Sequence, residues 1–190
     1  IKSYRSHYPD VDLALSAMNN AELKRALVQR EIDIAVSRPL LEDDELLREH
    51  LHHEPLILAL PDNSKFNRSQ PISLQELQNE TFILYPRKPR PSFADSILEV
   101  CKEDGFVPTS TVMAQDYQTA ISLVSVGVGL SVVPESVSAT QRAGVCYRPF
   151  SGANRGTSLS VHARLDNQAS HVVNFLKIVR RYAQKSAVKS

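Results

Sequence analysis

Short apolar segments alternate with amphipathic ones along almost the whole chain, and this alternation restricts the fold more than any other feature. Val11 to Leu15 alternates apolar and polar residues on the way to Met18, which predicts a half-buried strand. Asn19-Asn20 can cap a helix in which Leu23, Ala26, Leu27 and Arg30 follow at i, i+3, i+4 and i+7, with Leu23 and Leu27 inward. Ile32-Asp33-Ile34-Ala35-Val36 reads as the next strand. A helix between two such strands predicts a β-α-β crossover and a parallel sheet. Leu56 to Leu60 is a further strand, closed by the turn cluster Pro61-Asp62-Asn63.

The pattern then restarts. Ser73 caps a short helix over Leu74 to Leu77, with Glu76 completing a capping box. Thr81 to Tyr85 is β-branched and aromatic, as strands are. Ser92 can cap a long helix with Phe93, Ile97, Val100 and Cys101 on one face, ending at Gly105. Thr111 to Ala114 is a strand. Asp116 caps a helix with Ala120, Ile121 and Val124 inward and Gly127 at its end. Leu130 to Val133 is a strand closed by Pro134. Strands near Val145 to Phe150 and Ser158 to Ala163 follow a short helix. A last helix, from about Gln168 to Tyr182, carries Val172, Leu176, Val179 and Ala183 on one stripe. The expectation is two α/β units, residues 1–60 with 158–190 and residues 61–157. In such proteins ligands sit outside the carboxyl ends of strands, and a cleft between units is the default site.

Composition narrows the function classes. With 22 basic and 21 acidic residues the net charge is +1, which argues against a chain built mainly to grip phosphates. No apolar run reaches the ~20 residues that span a bilayer. Two cysteines, Cys101 and Cys146, form neither a disulfide framework nor a metal spacing, and fit a reduced compartment. At the start, Ile1, Tyr4 and Tyr8 have helical spacing until Pro9, with no initiator Met, cap or signal sequence before them. The chain reads as entering inside a helix, a piece of something longer.

Several patterns invite chemistry. Gly127-Val128-Gly129 suggests a dinucleotide loop but lacks the third glycine and lies between helix and strand, so a helix C-cap followed by close packing is the better reading. His50 and His52 share a strand face, beside His53, yet no carboxylate or cysteine stands at ligand spacing, which favours exposed strand histidines. Nucleophile-elbow, zincin and phosphate-loop signatures are missing from the sequence. Tyr85-Pro86-Arg87-Lys88-Pro89-Arg90-Pro91-Ser92-Phe93 leads from a strand into a helix whose first N–H groups suit a carboxylate or phosphate. Its prolines limit the entropy lost on binding, and Phe93 can lie against an unsaturated ligand. The same residues also read as a solvated, proline-stiffened connection. Asn20 and Asp116 open two further helices at strand-to-helix edges, where physics alone favours simple N-capping.

Leu27-Val28-Gln29-Arg30-Glu31-Ile32-Asp33-Ile34-Ala35-Val36 resembles a helix-to-strand segment of LysR-type transcriptional regulators. Val124-Ser125-Val126-Gly127-Val128-Gly129-Leu130-Ser131-Val132-Val133-Pro134 resembles that family's most recognisable effector-domain stretch, and the element order matches along essentially the whole chain. Tyr85-Pro86 and Pro89-Arg90-Pro91-Ser92-Phe93 are similar to members that respond to muconate, benzoate and chlorocatechols. The resemblance implies an α/β effector-binding domain of two Rossmann-like subdomains, with the type II periplasmic-binding-protein fold and an interdomain effector cleft. It implies no enzyme, cofactor or metal. It implies a small carboxylate effector, a homodimer or homotetramer, DNA contact only through an N-terminal winged helix-turn-helix outside this chain, a cytoplasmic location and no membrane. The effector would meet Asn20, Pro91, Ser92 and Phe93, with Asp116 at a neighbouring helix start. An amide at Asn20 stands where muconate-responsive members carry a hydroxyl. Arg38 aligns with a basic residue that some members use at a second, benzoate-binding pocket. The alternative on the same fold is a periplasmic solute-binding protein of a transporter.

Overall fold

The structure, a computed structural model, describes residues 1–67, 70–86 and 92–187. The chain divides into two compact units, Ile1–His53 with the chain from Ser158 onward, and Glu54–Thr157.

In the first unit, helices α1 (Lys2–His7) and α2 (Asn20–Val28) precede strand β1 (Ile34–Ser37) and strand β2 (Leu46–Glu54). Asn19 caps α2: its Oδ1 accepts the Glu22 N–H at 3.0 Å, and its own N–H donates to Glu22 Oε2 at 2.9 Å. Leu23, Ala26 and Leu27 are buried. The helix stops short of Arg30, which takes the left-handed φ of 63°. The expected strand over 11–15 does not form. Alternation supplies one apolar face, but a strand also needs a neighbour for its backbone groups. Val11 N–H goes to the Tyr8 carbonyl instead, and Leu15 is 73% exposed.

The β-α-β crossover around α2 is therefore absent. Late in the chain, β10 (Thr157–Arg164) takes the central place in a sheet of order β1-β10-β2, and β1 runs antiparallel to it with Ala35 opposite His162 and Ser37 opposite Ser160. Val161 and Ala163 face helix α5 (Ser170–Ala187), burying against Val172, Leu176 and Val179. Ala35 packs in a separate cluster with Leu23, Leu27, Leu41 and Leu46. Tyr4 docks α1 on α5: it is 1% exposed, its ring lies 5.2 Å from that of Phe175, and its hydroxyl donates to the His171 carbonyl at 2.9 Å.

The second unit contains β3 (Leu56–Pro61), β4 (Ile72–Ser73), β5 (Thr81–Leu84), helix α3 (Phe93–Glu103), β6 (Ser110–Met113), helix α4 (Tyr117–Ser125), β7 (Ser131–Pro134), β8 (Val145–Arg148) and β9 (Phe150–Ser151). Strand β3, which the sequence pattern places with the first unit, belongs here because it pairs antiparallel with both β7 and β8. β5 and β6 pair in parallel, with α3 between them in sequence, a true β-α-β unit. The inward faces foreseen for the two helices are buried: Phe93, Ile97, Val100 and Cys101 in α3, and Ala120, Ile121 and Val124 in α4.

The Gly127–Gly129 segment works as a helix end followed by close packing. Gly127 has φ +78°, and a Cβ on Gly129 would stand 2.3 Å from the Thr81 carbonyl oxygen. Gly129→Ala thus pushes a methyl into backbone that cannot rotate away, at an expected cost of about 1–3 kcal/mol or more. Gly127→Ala has open space and meets only the left-handed backbone penalty, about 1–2 kcal/mol. Urea unfolding should show the larger loss for Gly129→Ala; equal losses would contradict the close approach.

Candidate functional site

The residues singled out in the sequence fall into two groups, one in each unit. In the second unit, parallel pairing sets Leu84 beside Met113, and Ala114 N–H donates to the Leu84 carbonyl at 2.8 Å. The carboxyl ends of β5 and β6 therefore share one edge, from which the chain leads to the starts of α3 and α4. Ser92 caps α3 and is 5% exposed; its N–H and its hydroxyl both donate to Asp95 Oδ2 at 3.0 Å. The Ser92 hydroxyl proton is thus committed inside the helix start. The Asp95 N–H goes to Ser92 at 3.1 Å, which leaves those of Phe93 and Ala94 as the first-turn donors without a partner within the helix. Phe93 is 5% exposed and stacks on Tyr85 at 5.4 Å between ring centroids, so it serves the core more than a cleft wall. At the start of α4, Asp116 Oδ1 accepts the Thr119 N–H at 2.7 Å. That carboxylate already complements the positive end of its helix. Pro91, with Arg87 to Arg90, lies outside the described residues.

In the first unit, Asn20 is the first residue of α2, half-buried, and its Nδ2 donates to the Pro39 carbonyl at 3.1 Å. Arg38, half-buried, directly precedes Pro39 through a cis peptide bond. The structure therefore brings Asn20 and the Arg38 segment together, which sequence spacing does not reveal.

Sequence reasoning missed His162. It lies in β10 with no exposed surface, and its Nε2 takes the Leu41 N–H at 3.3 Å and stands 3.0 Å from Ser37 Oγ. Its one signal is a lone imidazole flanked by Val161 and Ala163. His50 and His53 are exposed, with His53 Nδ1 3.0 Å from Ser158 Oγ. Among the described residues there is no cluster of three His, Cys, Asp or Glu groups placed to hold a metal. Burial, and then the nearby Asp104 carboxylate, pushes the Cys101 thiol up to about 12; burial also raises that of Cys146. Neither sulfur is a thiolate near neutral pH.

The chain matches the LysR substrate-binding domain over residues 1–184. It belongs to that family. The HTH-type transcriptional regulator CatR of Pseudomonas putida is 37% identical over 138 residues, covering 73% of this chain and 47% of its own. A probable cat1 operon transcriptional activator of Acinetobacter lwoffii is 30% identical over 190 residues, covering 98% and 62%. The chain thus spans about half to three-fifths of the length of these curated relatives, which are named as regulators and not as enzymes. Among solved structures, the BenM effector-binding domain with its effector benzoate superposes with a TM-score of 0.84 at 25% identity, over 97% of this chain and 84% of that one. Full-length CbnR complexed with its target DNA gives 0.86 at 24% identity, over 96% and 64%, and shows the fold alone. The fold is the type II periplasmic-binding-like fold of these effector domains. Among the described residues of this LysR-family domain no helix is long and apolar enough to cross a membrane.

His162 gives the domain a pH signature. Burial first, and the Arg48 charge second, hold it below the ordinary histidine value of 6.5. A histidine whose pKa is lower folded than unfolded stabilises the fold above its unfolded value and withdraws that support as pH falls. The melting temperature should drop on acidification from about pH 7.5 to about pH 5, and His162→Gln should flatten the drop. Thermal melts across that window check it; a wild-type slope equal to that of His162→Gln would assign the change to other groups.

Proposed function

We propose that this chain is the effector-sensing domain of a LysR-type transcriptional regulator that takes a small carboxylate, muconate-like or aromatic. The observation that carries the reading is the likeness to the BenM effector-binding domain, solved with benzoate, along nearly the whole chain. Relatives named for the cat operon and for BenM support the same ligand class. In this reading the carboxylate accepts N–H bonds at the start of α3, near Ser92 and Phe93, while Asn20 meets the ligand from the start of α2. Asp116 bounds the neighbouring edge as a cap, and Arg38 lines a second pocket. Helix N-termini suit the task because their orphan N–H groups and partial positive charge favour anions without a full buried cation.

The whole regulator would be a cytoplasmic homotetramer that contacts DNA through a winged helix-turn-helix outside this chain. Effector binding would shift the tetramer between two shapes. A coupling of roughly 1–3 kcal/mol, 5- to 150-fold in affinity, is the usual size of such a switch.

Two measurements on the chain itself test the reading. A ligand at about 100 times its dissociation constant adds roughly 2.7 kcal/mol of stability. Benzoate or cis,cis-muconate should therefore raise the melting temperature by several degrees, and uncharged benzamide should not. In a 15N-labelled sample the same acids should move the Phe93 and Ala94 backbone signals and the Asn20 side-chain amide. A folded chain with no response to either acid removes the ligand class. A response confined to other residues removes the site.

A further inference from the structure

Three hydrogen bonds govern the segment from Ser37 to Leu41 as it leaves β1. Ser37 Oγ and Leu41 N–H meet on His162 Nε2 at 3.0 and 3.3 Å, and the Pro39 carbonyl accepts from Asn20 Nδ2 at 3.1 Å. Each carries a chemical constraint. The Leu41 amide only donates, so Nε2 accepts and the ring proton sits on Nδ1. Nδ1 is buried with no hydrogen-bond partner among the described residues, so the imidazole's polar hold on its surroundings runs through Nε2. The Pro39 carbonyl only accepts, so the Asn20 amide stands with Nδ2 toward the loop and Oδ1 away from it. The strand register explains why one histidine can reach both ends of the segment. His162 lies opposite Ala35, two residues before Ser37, where β1 gives way to the loop.

We propose that neutral His162 is a positioning residue for the effector contact at the start of α2, holding the 37–41 loop through Nε2 so that Pro39 orients the Asn20 amide. The inference rests on the reading of Asn20 as an effector contact given above. A proton on His162 removes the lone pair that Leu41 and Ser37 share, and Asn20 then loses a fixed partner. The surroundings oppose the charged ring. Of the charged and titratable groups on the packed elements, Arg48 and, two residues on along the same face, His50 belong to β2, Arg164 on the same face of β10 is paired with Asp166 at 3.3 Å, and α2 carries Glu22, Lys24 and Arg25, while β1 contributes Ala35 and Ser37. An imidazolium would stand against the Arg48 charge and in a buried position. Farther along, Lys24 ties the chain to α2 through the Glu42 carbonyl at 3.1 Å and Asp43 at 2.9 Å, so loosening stays local to residues 37–41.

The test compares 15N-labelled wild type, His162→Phe and His162→Gln near neutral pH by NMR. In His162→Phe the Asn20 side-chain amide signals should move and the Leu41 amide should exchange at least about tenfold faster. Val172 and Leu176 in α5 should keep their protection, which shows that the unit is still folded. His162→Gln, whose Oε1 accepts as Nε2 does, should restore both signals. Acidified wild type should reproduce the loosened loop as the His162 ring protonates, and this arm stands if His162→Phe fails to fold. Unchanged Leu41 and Asn20 signals, in folded His162→Phe or across the wild-type titration, overturn the proposal. Benzoate titration of the same samples separates the two readings. Full benzoate affinity in folded His162→Phe overturns the positioning role alone. A wild type that ignores benzoate and cis,cis-muconate overturns the effector reading, and the positioning role with it, whatever the loop does.

Discussion

Leu130 gives its N–H to the Thr81 carbonyl at 2.9 Å and accepts the Ile83 N–H at 2.7 Å, and these two bonds join the parallel β5–β6 pair to the antiparallel β7–β3–β8 ladder. Ser131 Oγ adds a third link, donating to the Ile83 carbonyl at 2.8 Å. The backbones come this close because Gly129 has no side chain to stand against Thr81. The edge from which α3 and α4 begin is tied to the rest of the unit through that seam. The seam fixes the direction of β5, hence of β6, hence that shared edge. The most recognisable stretch of the sequence, from Val124 to Pro134, is therefore a structural splice. Its conformation explains why a glycine pair there need not bind a nucleotide.

The two units meet the burial problem differently. The second surrounds one extensive apolar cluster, from Leu56 and Leu58 through Phe82 and Ile83 to Ile97 and Val133. The first has two thinner apolar layers, α5 against Val161 and Ala163, and α2 with Leu41 and Leu46 against Ala35. Buried polar groups, Ser37, Ser160 and His162, lie in its strands β1 and β10. A buried polar cluster specifies geometry tightly when its bonds are made and weakens it sharply when one is lost. That property is the one the proposed positioning of the Asn20 amide by the 37–41 loop would use.

Local features were legible in the sequence because their physics is local. The capping pairs Asn19–Glu22, Ser73–Glu76 and Asp116–Thr119 join residues three apart, and the inward stripes of α3, α4 and α5 follow from a 3.6-residue period. Pairing was not legible in the same way. The alternation over 11–15 looked like a strand, yet among the described residues no neighbouring strand pairs with it. Ser92 and Phe93 were recognised as a helix start. That the serine proton belongs to Asp95, and the phenyl ring to Tyr85, depended on packing that spacing does not encode.

By itself, then, the sequence determined where α3 and α4 begin, which faces of the helices turn inward, and, through Leu27–Val36 and Val124–Pro134, the family. These depend on covalent neighbours and on periodicity, which a single chain displays directly. Only the tertiary structure decided that β10 pairs antiparallel with β1, that β3 belongs to the second unit, and that His162 reaches Ser37 and Leu41 across more than a hundred residues. Contacts of that kind are selected by the competition among all possible partners for buried backbone and side-chain groups. No window of the sequence contains that competition.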